Sequence, residues 1–169
     1  MAGDIERILD ALNRAGVRYL VVGGVAVVLH GYLRTTADLD LIIHLERNNT
    51  LKALRALAGI GYRPRPPVEM EAFADAETRS EWIRDKNLKV FSLYNTAIPA
   101  LEIDIFVEEP FDFNAAYDRS LRVRLETADA TVIGMDDLIA LKRLTGRPRD
   151  LEDIQALTAL KERPPKGGE

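Results

Sequence analysis

The chain contains no cysteine. Disulfide staples and thiolate-bound zinc are therefore excluded, and a cytoplasmic protein is the simplest reading. No apolar run reaches the roughly 18 residues that a membrane-spanning helix requires. The opening residues, Met1-Ala2-Gly3-Asp4, have neither the basic nor the apolar region of a signal peptide. Histidine is scarce. His30 and His44 lie far apart, neither with a second ligand at metal spacing, and they read as a helix-end and a strand residue. Positive charge is not in excess: the net charge of −4 argues against a nucleic-acid binder that works by overall charge, though it permits a local basic patch. There is no internal repeat and no linker. What is present is 169 residues, 47% hydrophobic and 30% charged, enough for one globular domain with a sizeable core. That domain is expected over residues 1–163, with 164–169 a disordered tail.

Hydrophobic periodicity orders the chain. Ile5, Ile8, Leu9 and Leu12 recur at helical spacing from Asp4, a candidate N-cap, to Gly16. Val17 to Val22 is a nearly continuous apolar strand, expected to be buried on both faces. Gly23 to Gly31 is a short, mostly apolar helix, Arg34-Thr35-Thr36 a polar loop, and Asp38 to Leu45 a second strand. Asn49 or Thr50 can cap a helix to Ala58. A proline-rich extended stretch and a helical stretch from Val68 to Lys86, breakable near Ala76, follow. Leu88–Leu93 and Leu101–Val107 read as strands, Asp112–Tyr117 as a helical turn, and Leu121–Glu126 and Thr131–Ile133 as short strands. Met135–Leu144 and a helix capped by Asp150 and running to Lys161 close the chain. The fold class is α/β (α+β): a small mixed β-sheet flanked by helices, with two C-terminal helices.

The chemistry concentrates in Tyr19 to Glu46. Gly23-Gly24 between a strand and a helix lets a phosphate approach backbone and helix start. Asp38 and Asp40, two positions apart on a strand, point to one face. Asp104 sits in the later apolar strand LEIDIFV. Taken alone it can belong to a half-exposed edge strand. Taken with the Asp pair, three converging carboxylates repel unless a cation lies between them. Magnesium suits such oxygen donors and takes the rest of its shell from substrate phosphates. Arg34, Thr35 and Thr36 can reach a phosphate or simply form a polar connection. Lys142, Arg143, Arg147 and Arg149 form a basic run, read either as solvated surface or as a phosphate-facing patch. Arg63 and Arg65 are a fainter basic patch. Trp82 and Tyr94 can stack on a base or pack in the protein.

The ordered set Gly23-Gly24, Asp38-Leu39-Asp40 and Asp104 resembles the DNA polymerase β-like nucleotidyltransferase superfamily. The stretch GGVAVVLHGYLRTTADLDLII looks like the small bacterial nucleotidyltransferases, among them the abortive-infection (AbiEii-type) toxins of type IV toxin–antitoxin systems. MDDLIALKRLTGRPRDLEDI is similar to that group's C-terminal motif. The resemblance spans Tyr19 to Ile154 and is weakest between Pro64 and Leu88. It implies that Asp38, Asp40 and Asp104 bind two Mg²⁺ ions, with Asp104 also helping to deprotonate the acceptor. It implies that Gly23 and Gly24 contact the NTP phosphates and that Lys142 meets phosphate or positions the nucleotide; Arg34 and Thr36 are nucleotide-binding candidates only by their place before the Asp pair. Asp150 matches the group's later acidic position, and a helix N-cap followed by Asp153 in the first turn accounts for it equally well.

The function implied is transfer of an NMP group from an NTP to an acceptor hydroxyl with release of pyrophosphate. An RNA 3′ end is one candidate acceptor, and a cognate antitoxin one candidate partner. A protein or antibiotic acceptor, or an NTP-binding module without turnover, is the alternative. A metal-dependent phosphohydrolase fits less well, because no His–Asp metal cluster accompanies the three Asp residues.

Overall fold

The computed structural model describes residues 2–163; the expected tail at 164–169 lies outside them. α1 (Ala2–Arg14) turns its apolar stripe of Ile8, Leu9 and Leu12 fully into the core. The helix begins two residues before Asp4, so Asp4 is not its N-cap but an acidic residue of its first turn, where the helix dipole favours it. Gly16, at φ +69°, lets the chain reverse into β1 (Tyr19–Val22), which is buried throughout, as its continuous apolar run requires.

β1 ends directly in α2 (Gly23–Leu29), and the chain returns as β2 (Asp38–Ile43), antiparallel to β1. α3 (Arg47–Gly59) follows. Its N-cap is Glu46, whose carboxylate accepts from the backbone N–H of Asn48 and Asn49, rather than Asn49 or Thr50. The Asn49 side chain instead donates to the carbonyls of Arg18 and His44 and accepts from the Arg18 N–H, stapling α3 to the β1–β2 hairpin. β3 (Arg63–Pro64) and a 3-10 turn (Met70–Ala74) precede α4 (Ala76–Lys86), so the break near Ala76 is real. Then come β4 (Val90–Tyr94), β5 (Glu102–Phe106), α5 (Phe113–Asp118), β6 (Leu121–Arg124), β7 (Asp129–Val132), α6 (Met135–Thr145) and α7 (Pro148–Glu162).

The strands form one mixed sheet of order β3-β4-β5-β2-β1-β7-β6. The β2–β5 and β1–β7 pairs are parallel, and the other neighbours antiparallel. β5 is therefore an interior strand, which corrects the edge-strand reading of Asp104. One sheet face, with Leu39, Leu41, Phe91, Leu93, Ile103 and Ile105, is fully buried. Phe73 and Trp82 stack on Phe91 there, with centroids 4.7 and 5.7 Å away. The opposite face carries Ser92, Asp104 and Asp40, and α2 and α6 lie over it. No helix among the described residues is long and apolar enough to cross a membrane.

Candidate active site

Pairing register builds the centre. Asp40 on β2 lies directly opposite Asp104 on β5, and Asp38 opposite Glu102. Since successive residues alternate faces, all four carboxylates lie on one face of two neighbouring strands, about 4.8 Å apart. Asp40 is pushed up to about 7 by burial first, then by repulsion from Asp104 and Asp38, with Lys142 and Arg147 opposing. Asp38 is raised for the same reasons, burial and then Asp104 and Glu102. On β4, directly opposite Asp104, the Ser92 hydroxyl donates to Asp104 Oδ1 at 2.5 Å. Arg65 forms an ion pair with Glu102 and lies over the Tyr94 ring, 4.8 Å from its centroid.

The glycine turn closes on this row. Val22 pairs with Asp40, so Gly23 begins beside that carboxylate. Gly23 has φ +65°, and a Cβ there would come 2.7 Å from Asp40 Cγ. A Cβ on Gly24 would come 2.6 Å from Thr36 Oγ1 and 2.8 Å from Arg34 Nη2. Only bare backbone fits both positions. Gly23, Asp40 and Asp104 open into a cleft of about 640 Å³ between the sheet and α6. One wall is apolar, made of Val90, Phe106, Leu138, Leu141 and Leu144; Lys142, Arg147 and Asp150 form a polar wall.

Lys142 is not part of a solvated basic run. Its Nζ is buried 3.3 Å from Asp150 Oδ1 and 2.8 Å from Asp153 Oδ2. Asp150 also accepts from Thr145 Oγ1 at 2.7 Å and from the Arg147 backbone and Nε at 3.1 and 3.0 Å. Burial alone would raise Asp150, but the bonds from Arg147 and Thr145 and the charge of Lys142 outweigh it and hold it at about 2. Asp150 is thus the third residue of α7, its carboxylate reaching back to the backbone N–H of Arg147, the N-cap. Arg34 does not point at the cleft: its Nη2 donates to Asp153 Oδ2 at 3.1 Å. Its Nε lies 3.0 Å from Asp153 Oδ1 without the alignment of a hydrogen bond. Arg149 reaches the Thr35 carbonyl at 2.5 Å. Both arginines therefore pin the loop before β2 to α7.

His30 caps α2, its Nε2 donating to the Ile133 carbonyl at 2.7 Å. His44, one residue past β2, bonds Glu109 and stacks on Phe113. Neither histidine belongs to the carboxylate row. The sequence reading passes over Asp153 as a contact, although its place three residues after Asp150 puts both on one helix face. It also passes over Ser92, although the alternation of VFSLY sets this one small polar side chain against Asp104.

The donor set is of hard carboxylate oxygens whose mutual repulsion a divalent cation would relieve, and it fits magnesium. Among the described residues, no three His, Cys, Asp or Glu side chains stand close enough together to hold an ion by themselves.

Residues 4–162 match the family model described as a nucleotidyltransferase of unknown function (DUF6036). The chain belongs to this nucleotidyltransferase family. Its fold is that of solved nucleotidyltransferases. The lincosamide antibiotic adenylyltransferase LnuA, solved with lincomycin bound, superposes with a TM-score of 0.62 at 17% identity, covering 95% of this chain and 98% of that one. ANT(2'')-Ia, solved with adenylyl-2''-tobramycin, gives 0.60 at 12% identity over 94% and 87%. An antigenic nucleotidyltransferase-like protein of Paracoccidioides brasiliensis gives 0.57 at 16% over 93% and 75%. No curated protein matches the chain in sequence. At these identities the structural likeness is one of fold, and it agrees with the superfamily that the glycine and aspartate motifs resemble.

Proposed function

We propose that this protein transfers an NMP group from an NTP to an acceptor hydroxyl, with Mg²⁺ held by Asp38, Asp40 and Asp104. The observation that carries the reading is the register of Asp40 against Asp104 beside the Gly23 turn. The Gly23-Gly24 backbone offers the triphosphate its approach, and Lys142 and Arg147, on the polar wall of the cleft, supply positive charge beside it. Two magnesium ions would neutralise the triphosphate and the attacking and leaving oxygens. Asp104, nearest β4, takes the acceptor proton. The acceptor oxygen then bonds to the α-phosphorus, the bond from that phosphorus to the bridging oxygen breaks, and pyrophosphate leaves with the electron pair. Arg34 and Thr36 support the Gly24 turn from behind, and Asp150 holds Lys142 in place.

The acceptor we favour is an RNA 3′ end, on the motif resemblance to abortive-infection nucleotidyltransferases and on the exposed Arg147 that lines the cleft. That resemblance also makes a cytoplasmic toxin held by an antitoxin the biological setting. A small antibiotic acceptor is the second reading, supported by the fold shared with LnuA and ANT(2'')-Ia over nearly their whole length.

The test incubates the protein with labelled NTPs, Mg²⁺ and either total RNA or a panel of lincosamides and aminoglycosides. Labelled RNA that disappears with Asp40→Ala is the expected result. Label on an antibiotic alone selects the second reading. NTP binding with no transfer to any acceptor would overturn the enzymatic reading in favour of a binding module. Growth arrest on expression, relieved by Asp40→Ala, is expected of a toxin.

A further inference from the structure

The proposed reaction uses Asp104, and β4 beside it carries one side chain that touches its carboxylate. β4 is otherwise Val90, Phe91, Leu93 and Tyr94, so the small hydroxyl of Ser92 is the exception in an apolar and aromatic strand. The backbone around it is held from both sides. β5 pairs with β4 directly at Ser92, and on the other edge the Arg65 N–H donates to the Ser92 carbonyl at 2.8 Å. The Ser92 hydroxyl proton goes to Asp104 Oδ1 at 2.5 Å. That is the short end of the range for a hydroxyl donating to a carboxylate oxygen.

The bond also divides the carboxylate. Oδ1 spends one lone pair on Ser92 and Oδ2 spends none on it. The carboxylate plane is then locked relative to β2, where Asp40 stands opposite. Without the hydroxyl, Asp104 would be free to rotate away from Asp40, because two carboxylates on neighbouring strands repel.

We propose that Ser92 is a positioning residue for the metal site, orienting the Asp104 carboxylate so that it and Asp40 can share a divalent cation. This rests on the metal reading given above. Hydrogen-bonded partners behind metal ligands typically account for 10–100-fold in metal affinity.

The experiment measures Mn²⁺ binding to the full chain with ATP present, by electron paramagnetic resonance, for wild type, Asp104→Asn, Ser92→Ala, Ser92→Thr and Ser92→Val. Thr and Val have nearly the same shape and differ by the hydroxyl, so the last pair isolates the bond even if Ser92→Ala folds poorly. The metal-free melting temperature of each variant is read alongside. Ser92→Ala and Ser92→Val are expected to bind Mn²⁺ about 10–100-fold more weakly. Ser92→Thr is expected to stay near wild type, with similar melting temperatures for the Thr and Val variants. Equal Mn²⁺ affinity in the Thr and Val variants would overturn the role of Ser92 while leaving the metal site standing. Failure of the wild type itself to bind Mn²⁺, or full binding by Asp104→Asn, would overturn the metal reading first and this inference with it.

Discussion

Asp40 illustrates how far a single side chain can be read in energetic terms. Its carboxyl is pushed up to about 7 by burial and by its acidic neighbours. An acid whose folded pKa lies above its unfolded value near 4 binds its proton more tightly when folded. The metal-free protein should therefore lose stability as pH rises from about 4 to about 7, and no further from this group above that. Asp40→Asn removes the repulsion. We expect it to raise the metal-free melting temperature at pH 8, flatten that part of the pH–stability curve, and lower transfer about 10²–10⁴-fold through lost charge stabilisation. Calorimetry from pH 4 to 8 and a transfer assay check both halves; a variant less stable than wild type at pH 8 would contradict the account. Gly23 makes the complementary case. Gly23→Ala must adopt φ +65° and place its Cβ 2.7 Å from Asp40 Cγ. The left-handed backbone alone costs about 1–2 kcal/mol. Asp40 must also move, so transfer should fall far more than stability does, by activity and melting measurements on one preparation.

The last two helices do more than cover the sheet. The motif running from Lys142 to Asp153 resembles a nucleotide-contacting motif, yet its ions mainly face one another across α6, α7 and the loop before β2. Asp153 is the hub: 1% of its side chain is exposed, and it faces both Lys142 and Arg34. Asp153→Ala would leave the buried Lys142 and the half-buried Arg34 underpaired, at a cost of about 3–5 kcal/mol. Asp153→Asn should recover part of that by keeping hydrogen bonds without the charge. Urea unfolding of the two variants measures the difference, and equal small losses would show that the network contributes little. A lysine and an arginine far apart in sequence thus act through one acid on α7, and the turn at Gly24 is held by what happens near residue 153.

Taken as a molecule, the chain uses the two faces of one sheet for different purposes. The face bearing Leu41, Phe91 and Ile105 is sealed by α1, α3 and the Phe73–Phe91–Trp82 stack; the other is left open along the cleft. Phe91 is fully buried immediately beside Ser92 and opposite Ile105. Phe91→Ala should cost about 3–5 kcal/mol. For a chain of this size that lowers the melting temperature by roughly 10 °C. Because the same β4–β5 pairing carries Ser92 and Asp104, Mn²⁺ affinity should fall as well at temperatures where the variant remains folded. A melting scan with Mn²⁺ titration at 15 °C tests this. Unchanged metal affinity would separate the core from the site.

The local signals were fully legible from the residues. The apolar run of β1, the glycine turn into α2, and the alternation placing Asp38 and Asp40 on one face are set by neighbours within a few positions, and backbone sterics and side-chain periodicity act at that range. The family resemblance rode on those same local patterns. Helix caps are less legible. Asp4, Asn49, Thr50 and Asp150 are all competent caps, and which residue starts a helix is settled by how the helix packs. Only the tertiary structure could decide that β5 runs parallel to β2 in the register that sets Asp104 beside Asp40, that Ser92 stands behind Asp104, and that Lys142 and Arg34 converge on Asp153. Those pairings join residues from 11 to 119 positions apart. They form because burying the apolar face of the sheet and pairing buried charges are properties of the assembled chain, which no short window of sequence contains.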